Sequence, residues 1–138
     1  MPLGVLVFTH AGLADGFVSA AEMILGGPQK RFAAVAFREG DDLIQKSQEI
    51  GEAIRGMDAA FTVVLTDLFG ASPANAASLA IVEAQAAIVT GANLSMLLEA
   101  LTFDWEGMSR DDILGQLCAA GKGGIRTITR EMILEGVK

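Results

Sequence analysis

"LGVLVFTHAGLADGFVSAAEMIL", Leu3–Leu25, decides the fold class. Six residues, Leu3–Phe8, form an almost unbroken apolar run, as expected of a strand covered on both faces. Thr9 and His10 end the run, and Leu13–Leu25 then reads as a helix closed by Gly26-Gly27-Pro28. A buried strand leading straight into a helix is the opening unit of an α/β protein.

The alternation continues outward from that unit. Phe32–Phe37, Phe61–Leu65 and Ala86–Thr90 read as further strands. Between the second and third, Leu43, Ser47, Ile50, Ile54 and Met57 share one helical face. Ser72-Pro73 reads as a helix start, with the serine as cap and proline in the first turn. Ser95–Phe103 reads as another helix, and Ser109 with Asp112 as a capping pair. Gly124–Thr129, "GIRTIT", alternates as a last strand does. The expectation is one domain over residues 1–138, an open, mostly parallel sheet of order 2-1-3-4 plus the C-terminal strand. Helices cover both faces.

Composition narrows the function. The chain of 138 residues is 51% hydrophobic and carries a formal charge of −7. No basic stripe is present to neutralise phosphates, so nucleic acid is not an expected partner, whereas a protein with a basic docking face is. The single cysteine, Cys118, excludes an intramolecular disulfide and reads as a buried helix residue. No apolar run approaches the length of a membrane span and no basic leader precedes the first strand, so the expected location is the cytoplasm. Trp105 reads as a packing anchor and the six methionines mostly as core.

In open α/β sheets function collects at the carboxyl ends of strands, where the strand order reverses. With order 2-1-3-4, His10 at the end of strand one and Asp67 after strand three become neighbours. Of the three readings of His10, nucleophile, metal ligand or loop residue, a lone histidine at a strand end is most often the last, and Asp67 alone reads as a turn former or a cap. Together, a carboxylate on one imidazole nitrogen fixes the tautomer and leaves the other nitrogen free to attack. Gly70, Ala71 and Ser72 lead into a helix N-terminus, where free N–H groups suit an anion. A metal site is disfavoured by the lone histidine. "HAGLADG" lacks the spacing of a dinucleotide loop, and "GASPA" lacks that of a serine-hydrolase elbow.

"FTHAGLADGFVSAAEMILG", "VLTDLFGASPANAASLA" and "VTGANLSMLLEAL" resemble the signature segments of the mannose-family IIA domain of the bacterial phosphoenolpyruvate-dependent sugar phosphotransferase system (PTS). The resemblance runs from Leu3 to about Thr129. It implies that His10 accepts a phosphoryl group from phospho-HPr on Nε2 and passes it to a IIB protein, here expected to be a separate polypeptide. It implies that Asp67 holds Nδ1, that Gly70, Ala71 and Ser72 receive the phosphoryl oxygens, and that no metal or organic cofactor is needed. It further implies a homodimer exchanging the strand at 124–129, with the membrane reached only through a permease complex. Three positions depart from the family pattern: Ala71, Ala74 and Ser95, expected near the docking face. Two other roles fit the same residues, a regulatory phosphocarrier without sugar transport and a non-catalytic adaptor.

Overall fold

A computed structural model describes residues 2–136. Four strands, β1 (Leu3–His10), β2 (Phe32–Phe37), β3 (Phe61–Leu65) and β4 (Ala86–Val89), form one sheet of order β2-β1-β3-β4. All three pairings are parallel. Helices α1 (Leu13–Leu25), α4 (Leu94–Thr102) and α5 (Arg110–Gly123) cover one face, and α2 (Leu43–Arg55) and α3 (Ser72–Ile81) the other.

Side-chain alternation assigns the faces. Val5, Val7, Val63 and Leu65 enter the core under α1, α4 and α5, while Leu6, Phe8 and Val64 enter the core under α2 and α3. A register slip of one residue would exchange the two sets, so burial on both faces fixes the pairing. Trp105 anchors the loop after α4 as expected: it is buried, and its Nε1 donates to the Ala100 carbonyl at 3.0 Å.

Gly4 lies inside β1, where a Cβ would meet Thr62 Oγ1 at 2.6 Å and the Ala59 Cβ at 3.2 Å. Gly4→Ala is therefore expected to destabilise the fold by about 1–3 kcal/mol through overpacking. Chemical denaturation reads this directly, and an unchanged midpoint would show that β1 and β3 can separate without loss.

One expectation, the burial of Cys118, needs correction. Residues 125–129, expected as a strand exchanged with a partner subunit, are irregular and join no ladder among the described residues of the single chain. A short helix, α6 (Arg130–Leu134), follows them and is capped by the Thr129 side chain. Cys118 is exposed, because α5 turns only Ile113, Leu117 and Gly121 fully inward. Of the methionines, Met57 and Met96 are buried but Met23 is 81% exposed. Ala74, at the start of α3, is buried.

No helix among the described residues is long and apolar enough to cross a membrane.

Candidate functional site

β1 and β3 deliver His10 and Asp67 to the carboxyl end of the sheet at the point where strand order reverses. Their side chains meet although 57 positions separate them: His10 Nδ1 lies 2.8 Å from Asp67 Oδ2. The same oxygen accepts the His10 backbone N–H at 3.2 Å, so one carboxylate oxygen fixes both ring and main chain. With Asp67 ionised, Nδ1 carries the proton it donates, and the Nε2 lone pair is free. His10 is half exposed at 46%, whereas Asp67 is 15% exposed. Asp67 Oδ1 is buried and has no hydrogen-bond partner among the described residues. Poor solvation of the carboxylate strengthens its hold on the imidazole.

The chain leaves His10 sharply. Ala11 takes a left-handed φ of 47°, and Gly12 serves as N-cap of α1. After Asp67 the chain turns at Gly70, φ 76°, into the start of α3. Ala71 is extended, φ −89° and ψ 173°, a conformation open to any residue, so alanine here strains nothing. Gly70→Ala would place a Cβ in the left-handed region at a cost of about 1–2 kcal/mol. The expected readout is a lowered denaturation midpoint; no change would mean the loop relaxes into another conformation.

Ser72 is not the cap that its sequence suggests. The first bond of α3 runs from the Asn75 N–H to the Ala71 carbonyl at 3.0 Å, which makes Ala71 the cap. The Ser72 hydroxyl is therefore not engaged in capping. Ser72 and Ala74 keep backbone N–H groups without an intrahelical acceptor, and Pro73 has none to satisfy.

The helix starts divide into two sets. Asp42, Asn93, Ser109 and Thr129 cap α2, α4, α5 and α6 with side-chain oxygens. The two helices that begin at the His10–Asp67 crevice, α1 and α3, have no side-chain cap. Unfilled N–H groups and the positive ends of two helix dipoles thus face the same crevice as the imidazole, an arrangement suited to an anion. Arg38, one residue past β2, adds a cation at the rim, 4.0 Å from Asp15 of α1.

The site also has an apolar rim. Leu13 is 48% exposed, Leu68 58% and Phe69 85%. Sequence reasoning passed over these three, because an apolar residue in a loop or at a helix start carries no sign of its exposure. Among the described residues no cluster of three or more His, Cys, Asp or Glu side chains is placed to hold a metal ion.

Residues 4–117 match the family described as PTS system fructose IIA component, and the chain belongs to that family. The sorbose-specific EIIA component of Lacticaseibacillus casei is 34% identical over 96 residues, covering 69% of each chain. The mannose-specific EIIAB component of Escherichia coli strain K12 is 26% identical over 130 residues, 93% of this chain. The chain spans only 40% of the length of that protein. Among solved structures, the mannose/sorbose specific IIA subunit from Enterococcus faecalis superposes with a TM-score of 0.82 at 26% identity, covering 94% of this chain and 96% of that one.

Proposed function

We propose that this chain is a phosphocarrier of the sugar phosphotransferase system, holding a phosphoryl group on His10 Nε2 between a phospho-HPr donor and a IIB acceptor. The observation that carries the reading is the 2.8 Å contact of Nδ1 with Asp67, which leaves Nε2 as the free nucleophile beside two uncapped helix starts. In the accepting step the Nε2 lone pair attacks phosphorus and the donor's N–P bond breaks. The donor imidazole leaves with that electron pair, and the Nδ1 proton stays on the hydrogen bond to Asp67. His10 becomes cationic as the new bond forms, and the largely buried Asp67 carboxylate offsets that charge. The N–H groups of Ser72 and Ala74 and the Ser72 hydroxyl receive the phosphoryl oxygens.

The phosphoryl group arrives already activated on a protein, so this reading calls for no cofactor. The named relatives handle mannose and sorbose, both hexoses, and we extend that class to the route this chain serves. The exposed apolar rim of Leu13, Leu68 and Phe69 is suited to transient docking of a protein donor. The relay operates in the cytoplasm, and the working form is a homodimer in which residues 124–129 add to the partner's sheet. Support for the exchange comes from β4, an edge strand, and from Ile125 and Ile128, exposed at 77% and 79%.

The test is transfer of label from phosphoenolpyruvate through enzyme I and HPr to the purified chain. Stoichiometric, acid-labile and base-stable labelling is expected. No label in the presence of cognate HPr would reject the carrier in favour of an adaptor on the same fold.

A further inference from the structure

The C-terminal segment carries an apolar surface that the described chain leaves uncovered. Besides Ile125 and Ile128, Ile133 is 63% exposed and Leu134 67%. Ile133 and Leu134 stand on α6, a short helix capped by Thr129 and held by no core contact of its own. Around them lie two arginines, Arg126 and Arg130, and two glutamates, Glu131 and Glu135, none in an ion pair within the described residues.

At the amino end of the sheet is a matching hollow. A groove of about 840 Å³ opens between the C-terminal halves of α2 and α3, lined by Ile54, Arg55, Leu79, Val82, Glu83 and others. Leu79 is 48% exposed and Val82 78%. Arg55 folds back over Gly51, its Nη1 3.4 Å from where a Cβ would stand. Neither Arg55 nor Glu83 makes an ion pair among the described residues. The groove therefore offers apolar residues flanked by one free cation and free carboxylates.

The path between the two is set by the edge strand. α5 ends at the carboxyl end of the sheet, where Asn93 Nδ2 donates to the Gly121 carbonyl at 2.8 Å and Gly124 abuts Ser95. A strand that starts there and adds to a β4 edge runs toward the amino end, antiparallel to β4. Five extended residues cover roughly 17 Å, enough to pass the four residues of β4. Thr129 then arrives beside Ala86, next to Val82, Glu83, Ala84 and Gln85 of the groove.

We infer that α6 of one copy seats Ile133 and Leu134 in the α2–α3 groove of a second copy, with Arg130 facing Glu83 and the α6 glutamates facing Arg55. This rests on the homodimer reading given above and extends it, from an added strand to a helix locked in a groove. The interface is isologous, so each dimer makes the contact twice. The mode is a helix in a groove, here a short one whose two apolar anchors are adjacent. The seated helix holds the exchanged strand at its far end, on the side of the sheet away from His10.

The test uses the full chain with Cys118→Ser, so that only introduced thiols remain. One preparation carries Val82→Cys and a second, distinguished by a tag, carries Ile133→Cys; the two are mixed, left to exchange subunits and oxidised. A disulfide between the two different chains is expected. In sedimentation, Ile133→Glu with Leu134→Glu is expected to raise the dimer dissociation constant about 100-fold. Both positions are exposed in the single chain, so the fold is kept, and circular dichroism checks it. Thr127→Pro, which removes a strand donor, reports on the exchange separately. Weakening by Thr127→Pro with no mixed disulfide and no effect of the glutamates would overturn the helix docking and leave the exchanged strand standing. A third preparation carries both Val82→Cys and Ile133→Cys; a disulfide formed within that chain, with none between the two singly substituted chains, would overturn it in favour of self-docking. A wild-type chain monomeric at every concentration would overturn the docking and the dimer together.

Discussion

Replacing His10 with alanine is expected to abolish phosphoryl acceptance, with labelling from phospho-HPr falling to background. The effect is total rather than graded because His10 is the sole histidine in the sequence, and Cys118 lies on α5, whose main contacts are with α4 and β4 rather than with β1. The fold is expected to survive. The imidazole is half exposed, and the interactions holding β1 in place come from its backbone pairing with β2 and β3. Stability should change by less than about 1 kcal/mol. Labelling that persists in His10→Ala would place the phosphoryl group elsewhere and reject the assigned nucleophile.

Asp67→Asn is expected to slow transfer about 100-fold without abolishing it. An asparagine oxygen can still accept from Nδ1, so the tautomer is retained, but the negative charge opposite the developing imidazolium is lost. The amide nitrogen falls near the position of Oδ1, which has no partner among the described residues, so no existing hydrogen bond of Oδ1 is broken. Single-turnover kinetics separates the two roles. A slow rate with unchanged HPr binding supports the electrostatic one; a rate equal to wild type would show that Asp67 does not act on the imidazole.

The sheet was legible in the sequence because its signal is local. Leu3–Phe8 and Phe61–Leu65 are apolar along their whole length, and burial on both faces is the only environment that suits them. Parallel strands joined by helices then leave few orders, and the observed order 2-1-3-4 is the expected one. The pairing of His10 with Asp67 followed from that order and from nothing nearer in sequence. What escaped the reading depends on context. Ser72 looks like a cap because serine before proline usually is one, yet the first helical bond begins one residue earlier, at Ala71. Cys118 looks buried among Leu117, Ala119 and Ala120, but which side of α5 faces the sheet is settled by its packing on α4. The lack of side-chain caps on α1 and α3 could have been suspected from Gly12 and Ala71, two residues that offer no oxygen. The apolar rim at Leu68 and Phe69 was not legible, since exposure is a property of the folded surface.

The account turns on which ring nitrogen of His10 carries the phosphoryl group. Nitrogen-15 and phosphorus-31 NMR of the histidine-labelled chain, phosphorylated through HPr, reads this directly. Phosphorus coupled to Nε2, with Nδ1 still protonated, is the predicted result. Coupling to Nδ1 would contradict the account, because that nitrogen is the one held 2.8 Å from the Asp67 carboxylate.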